Sequence, residues 1–118
     1  MDRDLLIAAG FEVEKALDLV GDFELYEEIL SDYYNDVDKN TELIKKCEKE
    51  EDIKNYTVYV HGIKSASKLL GANEFAKEAE AMEICGHNGD IDAIHAKTDA
   101  LLDEYLQIKQ KISAFMVD

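Results

Sequence analysis

The sequence predicts an all-α protein: an antiparallel up-down four-helix bundle preceded by short N-terminal helices. Three observations lead there. Apolar residues recur every three or four positions in one segment after another, glycines stand at the segment ends, and there is no proline in 118 residues. Ala, Leu, Ile, Glu and Lys are abundant, and most of these favour helix. The one β-rich run, Tyr56-Thr57-Val58-Tyr59-Val60, lies inside a longer helical pattern, so packing is expected to override its propensity.

Taken in order, residues 2–9 form a short helix that stops at Gly10. Residues 12–20 place Val13, Ala16, Leu17 and Val20 at helical spacing and stop at Gly21. Asp22 caps a longer helix over 22–39, whose stripe is Phe23, Tyr26, Ile29, Leu30, Tyr33 and Val37. Asn40 and Thr41 read as the next cap, with 41–51 a short helix or an extension. The helix over 52–70 buries Tyr56, Tyr59, Ile63, Ala66 and Leu70 and ends at Gly71 in a left-handed cap. Asn73 caps the helix over 73–87, with Phe75, Ala76, Ala79, Met82 and Cys85 inward. Asp90 caps a last long helix over 90–116 carrying Ile91, Ile94, Leu101, Leu102, Tyr105, Ile108 and Ile112. Short connections make successive helices antiparallel neighbours.

The whole chain, 1–118, reads as one domain with one core, and no linker interrupts it or flanks it, as in a free-standing protein. A formal net charge of -14 repels nucleic acid and anionic membranes and excludes both as main partners. No apolar run approaches the roughly 20 residues of a membrane span, and the N-terminus lacks the basic start and apolar run of a signal peptide. A cytoplasmic protein is expected, with Cys47 and Cys85 as reduced structural thiols. Monomeric behaviour is expected as well.

The chemistry centres on His61-Gly62-Ile63-Lys64-Ser65-Ala66-Ser67-Lys68. On a helix, Lys64, Ser65 and Lys68 share the side of His61, while Ile63, Ala66 and Leu70 point away. The imidazole therefore stands on the wet face, beside ammonium groups and small side chains. Histidine titrates near neutrality, so one ring nitrogen is available as a nucleophile. A phosphoryl group brings about two negative charges, which Lys64 and Lys68 tolerate. Ser65 and Gly62 leave room for access; a glycine inside a helix costs about 0.5–1 kcal/mol relative to alanine, and clearance beside the imidazole and slack in helix design explain it equally simply.

The pattern resembles the histidine-containing phosphotransfer (HPt) domain family. The resemblance rests on His61, Lys64, the small residues Ser65-Ala66-Ser67 and Gly71-Ala72. It extends upstream to Phe11–Leu17 and Gly21–Tyr26, and downstream to Phe75–Glu83 and Asn88-Gly89-Asp90. Ser65 departs from the family, many of whose members carry glycine there. The resemblance implies that His61 accepts a phosphoryl group from, or passes it to, an aspartate of a receiver domain in a response regulator or hybrid histidine kinase. Lys64 would then pair with the phosphate oxygens, and Lys68 would add a weaker field. The domain would be a carrier rather than an enzyme, with no cofactor of its own. Magnesium and the acidic pocket would belong to the receiver. No glycine-rich nucleotide loop argues for a self-contained kinase. The alternative is a helical interaction module that binds a receiver or kinase without being phosphorylated.

Other candidates read more plainly. His87 and His95 have no metal-ligand spacing and are expected to be structural, as are the tyrosines. The runs of carboxylates are solvated faces. Val58 and Leu69, with Leu5, Leu6 and Ile7, are expected to make an apolar footprint for a partner helix near His61.

Overall fold

The computed structural model describes residues 2–116. Among them are six helices and no strand: α1 (Arg3–Ala8), α2 (Val13–Val20), α3 (Phe23–Glu50), α4 (Ile53–Leu70), α5 (Asn73–His87) and α6 (Ile91–Ser113). Aspartates start four of them. Asp2, Asp22, Asp52 and Asp90 each accept a hydrogen bond from the amide three residues on, satisfying a donor that the helix leaves open. Asn73 is not a cap: it is the first residue of α5, and Ala72 before it makes no side-chain cap bond. The last helix ends at Ser113, short of the expected Met116.

Helix α3 runs unbroken through Asn40 and Thr41, which resolves 41–51 as an extension. The buried positions Tyr26, Leu30, Tyr33, Val37, Ile44 and Cys47 continue one stripe across that point. Asn40 serves the tertiary structure instead, donating its side-chain amide to the Tyr105 hydroxyl (3.1 Å). At about 1.5 Å per residue, 28 residues account for the molecule's longest extent of 41 Å. The β-rich run is helical because Tyr56 and Val60 fall on the buried face of α4.

Helix α3 packs on α4 and α6, and α5 packs on the same two; α1 and α2 lie against one another, and α2 also contacts α3 and α4. One core joins them, from Leu6 and Phe11 to Ile108 and Ile112. Inside it, hydroxyl groups hold α4 in register. Tyr26 donates to the carbonyl of Leu70 (2.6 Å), an acceptor the last turn of α4 leaves open. Ser67 donates to the carbonyl of Ile63 (2.6 Å), so its single proton is used and Tyr33 must donate to Ser67 (2.8 Å). By the same count Tyr56 donates to Thr98 (2.7 Å), joining α4 to α6. Burial pushes the Tyr26 hydroxyl up to about 12, which keeps it a neutral donor.

Two glycines set close approaches to α4. Gly71 ends it with φ +81°, and a side chain there would meet the backbone of Glu12, whose amide donates to the Gly71 carbonyl (2.9 Å). Gly86 brings α5 against Thr57 so tightly that an added Cβ would overlap Oγ1. Gly86→Ala is therefore expected to destabilise the protein by about 1–3 kcal/mol in urea unfolding. Adding Thr57→Ala should recover much of that loss.

At the C-terminal end of α3, His95 of α6 reaches two carboxylates. Nδ1 lies 3.0 Å from Glu48 and Nε2 lies 3.5 Å from Glu51. The hydrogen bond to Glu48, reinforced by Glu51, holds His95 above its ordinary value of 6.5 in spite of some desolvation. The folded value is raised, so this contribution is complete below 6.5 and is lost as pH rises through the folded value. The stability difference between the wild type and His95→Gln should accordingly shrink from mildly acidic to alkaline pH.

Candidate functional site

Two neighbouring columns of α4 side chains make the site. One reads Thr57, His61, Lys64, Lys68 and borders α5, with Thr57 buried against it; the next reads Val58, Gly62, Ser65, Leu69 and is exposed. Helical periodicity alone thus places His61, Lys64, Ser65 and Lys68 on one side, as the sequence predicts. The His61 side chain is 56% exposed, while Ile63 and Leu70 are buried.

The tertiary structure adds Glu83 of α5, whose side chain is 11% exposed. Its Oε2 lies 2.7 Å from His61 Nδ1 and its Oε1 lies 2.7 Å from Lys64 Nζ. Burial pushes the Glu83 carboxyl upward, but the hydrogen bonds and charge of Lys64 and His61 outweigh it and hold the group below the carboxylate's ordinary value. Glu83 is therefore ionised at neutral pH and can only accept. Nδ1 of His61 must carry the hydrogen of that bond. In the neutral ring Nε2 is then left with a lone pair. His87, the last residue of α5, approaches the same oxygen at 3.5 Å through Nε2 and is largely exposed.

Lys64 differs from its sequence reading. Its side chain is only 14% exposed and is the counterion of Glu83, so it is not a free ammonium on the wet face. Lys68 is exposed, with no ion pair among the described residues, and is the more accessible cation beside the histidine. Ser65 and Gly62 are both exposed. Of the apolar footprint, Val58, Leu69, Leu5 and Ile7 are exposed, but Leu6 is fully buried and belongs to the core. A charge at Leu6 would unfold rather than probe a surface. Ile84, next to Glu83, is exposed and was not anticipated.

Glu83 was missed because carboxylates are common and no local pattern marks this one. A signal was available in the hairpin. His61 and Glu83 stand eleven residues either side of Ala72, and helices folded back on each other bring equidistant residues together. Glu83 also continues the inward series of Ala76 and Ala79 on α5.

No family model, curated protein or solved structure matches the chain. Among the described residues no group of three or more His, Cys, Asp or Glu side chains could hold a metal ion. No helix there is long and apolar enough to cross a membrane.

Glu83→Ala is expected to cost about 1–3 kcal/mol, because it leaves the little-exposed Lys64 without its partner. It should also release the ring, so that nitrogen NMR of His61 changes from the Nδ1–H form toward a mixture of tautomers. Since the folded value of Glu83 is lowered, its contribution to stability is present above 4.5 and is lost as pH falls through the folded value.

Proposed function

We propose that this protein is a histidine phosphotransfer protein of a two-component phosphorelay, a cytoplasmic carrier that holds a phosphoryl group on His61 between receiver-domain aspartates. The observation that carries this reading is an exposed imidazole whose Nδ1 is anchored on an ionised, buried carboxylate, leaving Nε2 as the nucleophile. The similarity of the His61–Ala72 segment to HPt domains adds to it. So does the packing of α3 and α5 each on both α4 and α6, with two- or three-residue connections from α3 to α6. We read those four helices as an antiparallel up-down bundle, with α1 and α2 as its N-terminal addition.

In the transfer, the lone pair on Nε2 attacks the phosphorus of an aspartyl phosphate. The N–P bond forms as the P–O bond to the aspartyl carboxylate breaks, and the leaving carboxylate keeps the electron pair. No proton has to leave Nε2, because Nδ1 holds the ring's hydrogen on Glu83. Phosphorylation gives the ring imidazolium character, which the Glu83 carboxylate stabilises. The same contact makes the ring a good leaving group when the phosphoryl group moves on. Lys64 balances Glu83 and keeps it from opposing the incoming charge, and Lys68 offers the accessible positive field. The chain acts as carrier; the magnesium ion and the acidic pocket come with the receiver. The partner docks over the His61 face, with the exposed Val58, Leu69 and Ile84 in the contact.

Incubation with phosphorylated receiver domains tests the reading. Acid-labile label is expected on the wild type and at least a hundredfold less on His61→Gln, a loss corresponding to about 2.7 kcal/mol in transition-state terms. Equal label on both would move the acceptor elsewhere. Label on neither would leave a binding module that is never phosphorylated.

A further inference from the structure

The two oxygens of Glu83 carry different loads. Oε1 faces one cation, Lys64 Nζ at 2.7 Å. Oε2 faces two imidazoles, His61 Nδ1 at 2.7 Å and His87 Nε2 at 3.5 Å. The second imidazole has no part in the proposed transfer. It stands one turn beyond Glu83 on α5, the i,i+4 relation that puts both side chains on one face. Its backbone is fixed against α4, because the neighbouring Gly86 packs on Thr57 with no room for a side chain. Among the described residues its one ion contact is that oxygen.

An ionised carboxylate only accepts, so His87 meets Oε2 favourably only with a hydrogen on Nε2. His61 and His87 are then donors to one atom. Both draw on the same negative charge, so each weakens the hold of the other. The distances rank them. The His61 bond is short, and His87, with its side chain 66% exposed, is the weaker and more movable contender. Transfer gives the competition a consequence. The phosphorylated ring of His61 has imidazolium character and leans on Glu83 more than the free ring does. A second donor on Oε2 therefore raises the free energy of the phosphorylated state more than that of the free state.

We infer that His87 is a positioning residue that acts on His61 through Glu83: its Nε2–H shares Oε2, loosens the carboxylate's hold on the phosphorylated ring and speeds departure of the phosphoryl group to the receiver. This deepens the proposed phosphorelay function and rests on it. In the departure step a carboxylate oxygen of the receiver attacks phosphorus and the N–P bond breaks. The electron pair returns to Nε2. The hydrogen stays on Nδ1 throughout; what His87 changes is how strongly Glu83 draws on it.

The experiment compares the wild type, His87→Ala and His87→Gln. Alanine removes the donor, whereas glutamine keeps a neutral N–H of similar reach. Each protein is labelled on His61 with phosphoramidate, where Nε2 attacks phosphorus, the P–N bond of the reagent breaks and ammonia leaves. Receiver domains of the source genome are then added with magnesium at about pH 8.5, where an ordinary imidazole is neutral. Departure of label should slow about threefold in His87→Ala, the scale of an exposed ionic contact, and return to the wild-type rate in His87→Gln. In the unphosphorylated His87→Ala protein the Nδ1–H proton of His61 should move downfield and exchange more slowly with water, while the urea midpoint stays in place. Equal rates in all three proteins overturn the inference, as does equal slowing in both variants, and either leaves the carrier function standing. Slowing in His87→Ala with an unmoved Nδ1–H resonance also overturns it, because the side chain then acts at the docking surface or on the fold. If no receiver takes label from the wild type, the carrier function fails and the inference falls with it.

Discussion

The structure around His61 depends on one carboxylate. Glu83 reaches from α5 to α4 and meets His61 and Lys64 through its two oxygens, each at 2.7 Å. A little-exposed carboxylate is tolerable only when its charge is matched and its lone pairs are used. Lys64 supplies the charge and His61 supplies a hydrogen-bond donor. Each partner is changed by the pairing. The lysine is drawn into the wall between two helices, and the imidazole loses the freedom to choose its tautomer. An exposed histidine otherwise samples rotamers and both neutral forms. Here one edge is held by Glu83.

That contact needs α4 and α5 at a fixed distance and register. Gly86 against Thr57 sets the distance, since no side chain fits between them. The hydroxyls of Tyr26 and Tyr33 on α3 and of Tyr56 facing α6 hold α4 from behind. All three act on buried oxygen atoms, where a bond left unmade costs about 1–3 kcal/mol and a displaced helix would leave several unmade together. The tyrosines are thus structural, as their positions in the apolar stripes imply. They belong to the reason why a surface histidine can be placed to within a hydrogen-bond length.

Charge distribution separates the two faces of this arrangement. The chain as a whole carries a formal net charge of -14. At the site Glu83 and Lys64 cancel, and Lys68 remains as exposed positive charge beside the ring. Val58 and Leu69 are exposed on α4, and Ile84 is exposed on α5 next to Glu83 in the chain.

The sequence by itself determined the helical class, the stops at Gly10, Gly21 and Gly71, the aspartate caps at 22 and 90, and the exposure of His61 opposite Ile63 and Leu70. These follow from local rules, namely the 3.6-residue period, glycine's backbone freedom and side-chain capping, which act within one or two turns. Only the tertiary structure decided that Asn40 and Thr41 lie inside a helix, because the stripe from Val37 to Ile44 is buried by α6 and its neighbours and Asn40 finds its partner on Tyr105. It also moved Leu6 from the expected surface into the core and turned Lys64 from a solvated cation into a counterion. Glu83 is the clearest case. Nothing within a turn of it marks its role, since the groups that give it one are on another helix, about twenty residues away in the chain. Their meeting is a property of how two helices fold back on each other rather than of either alone.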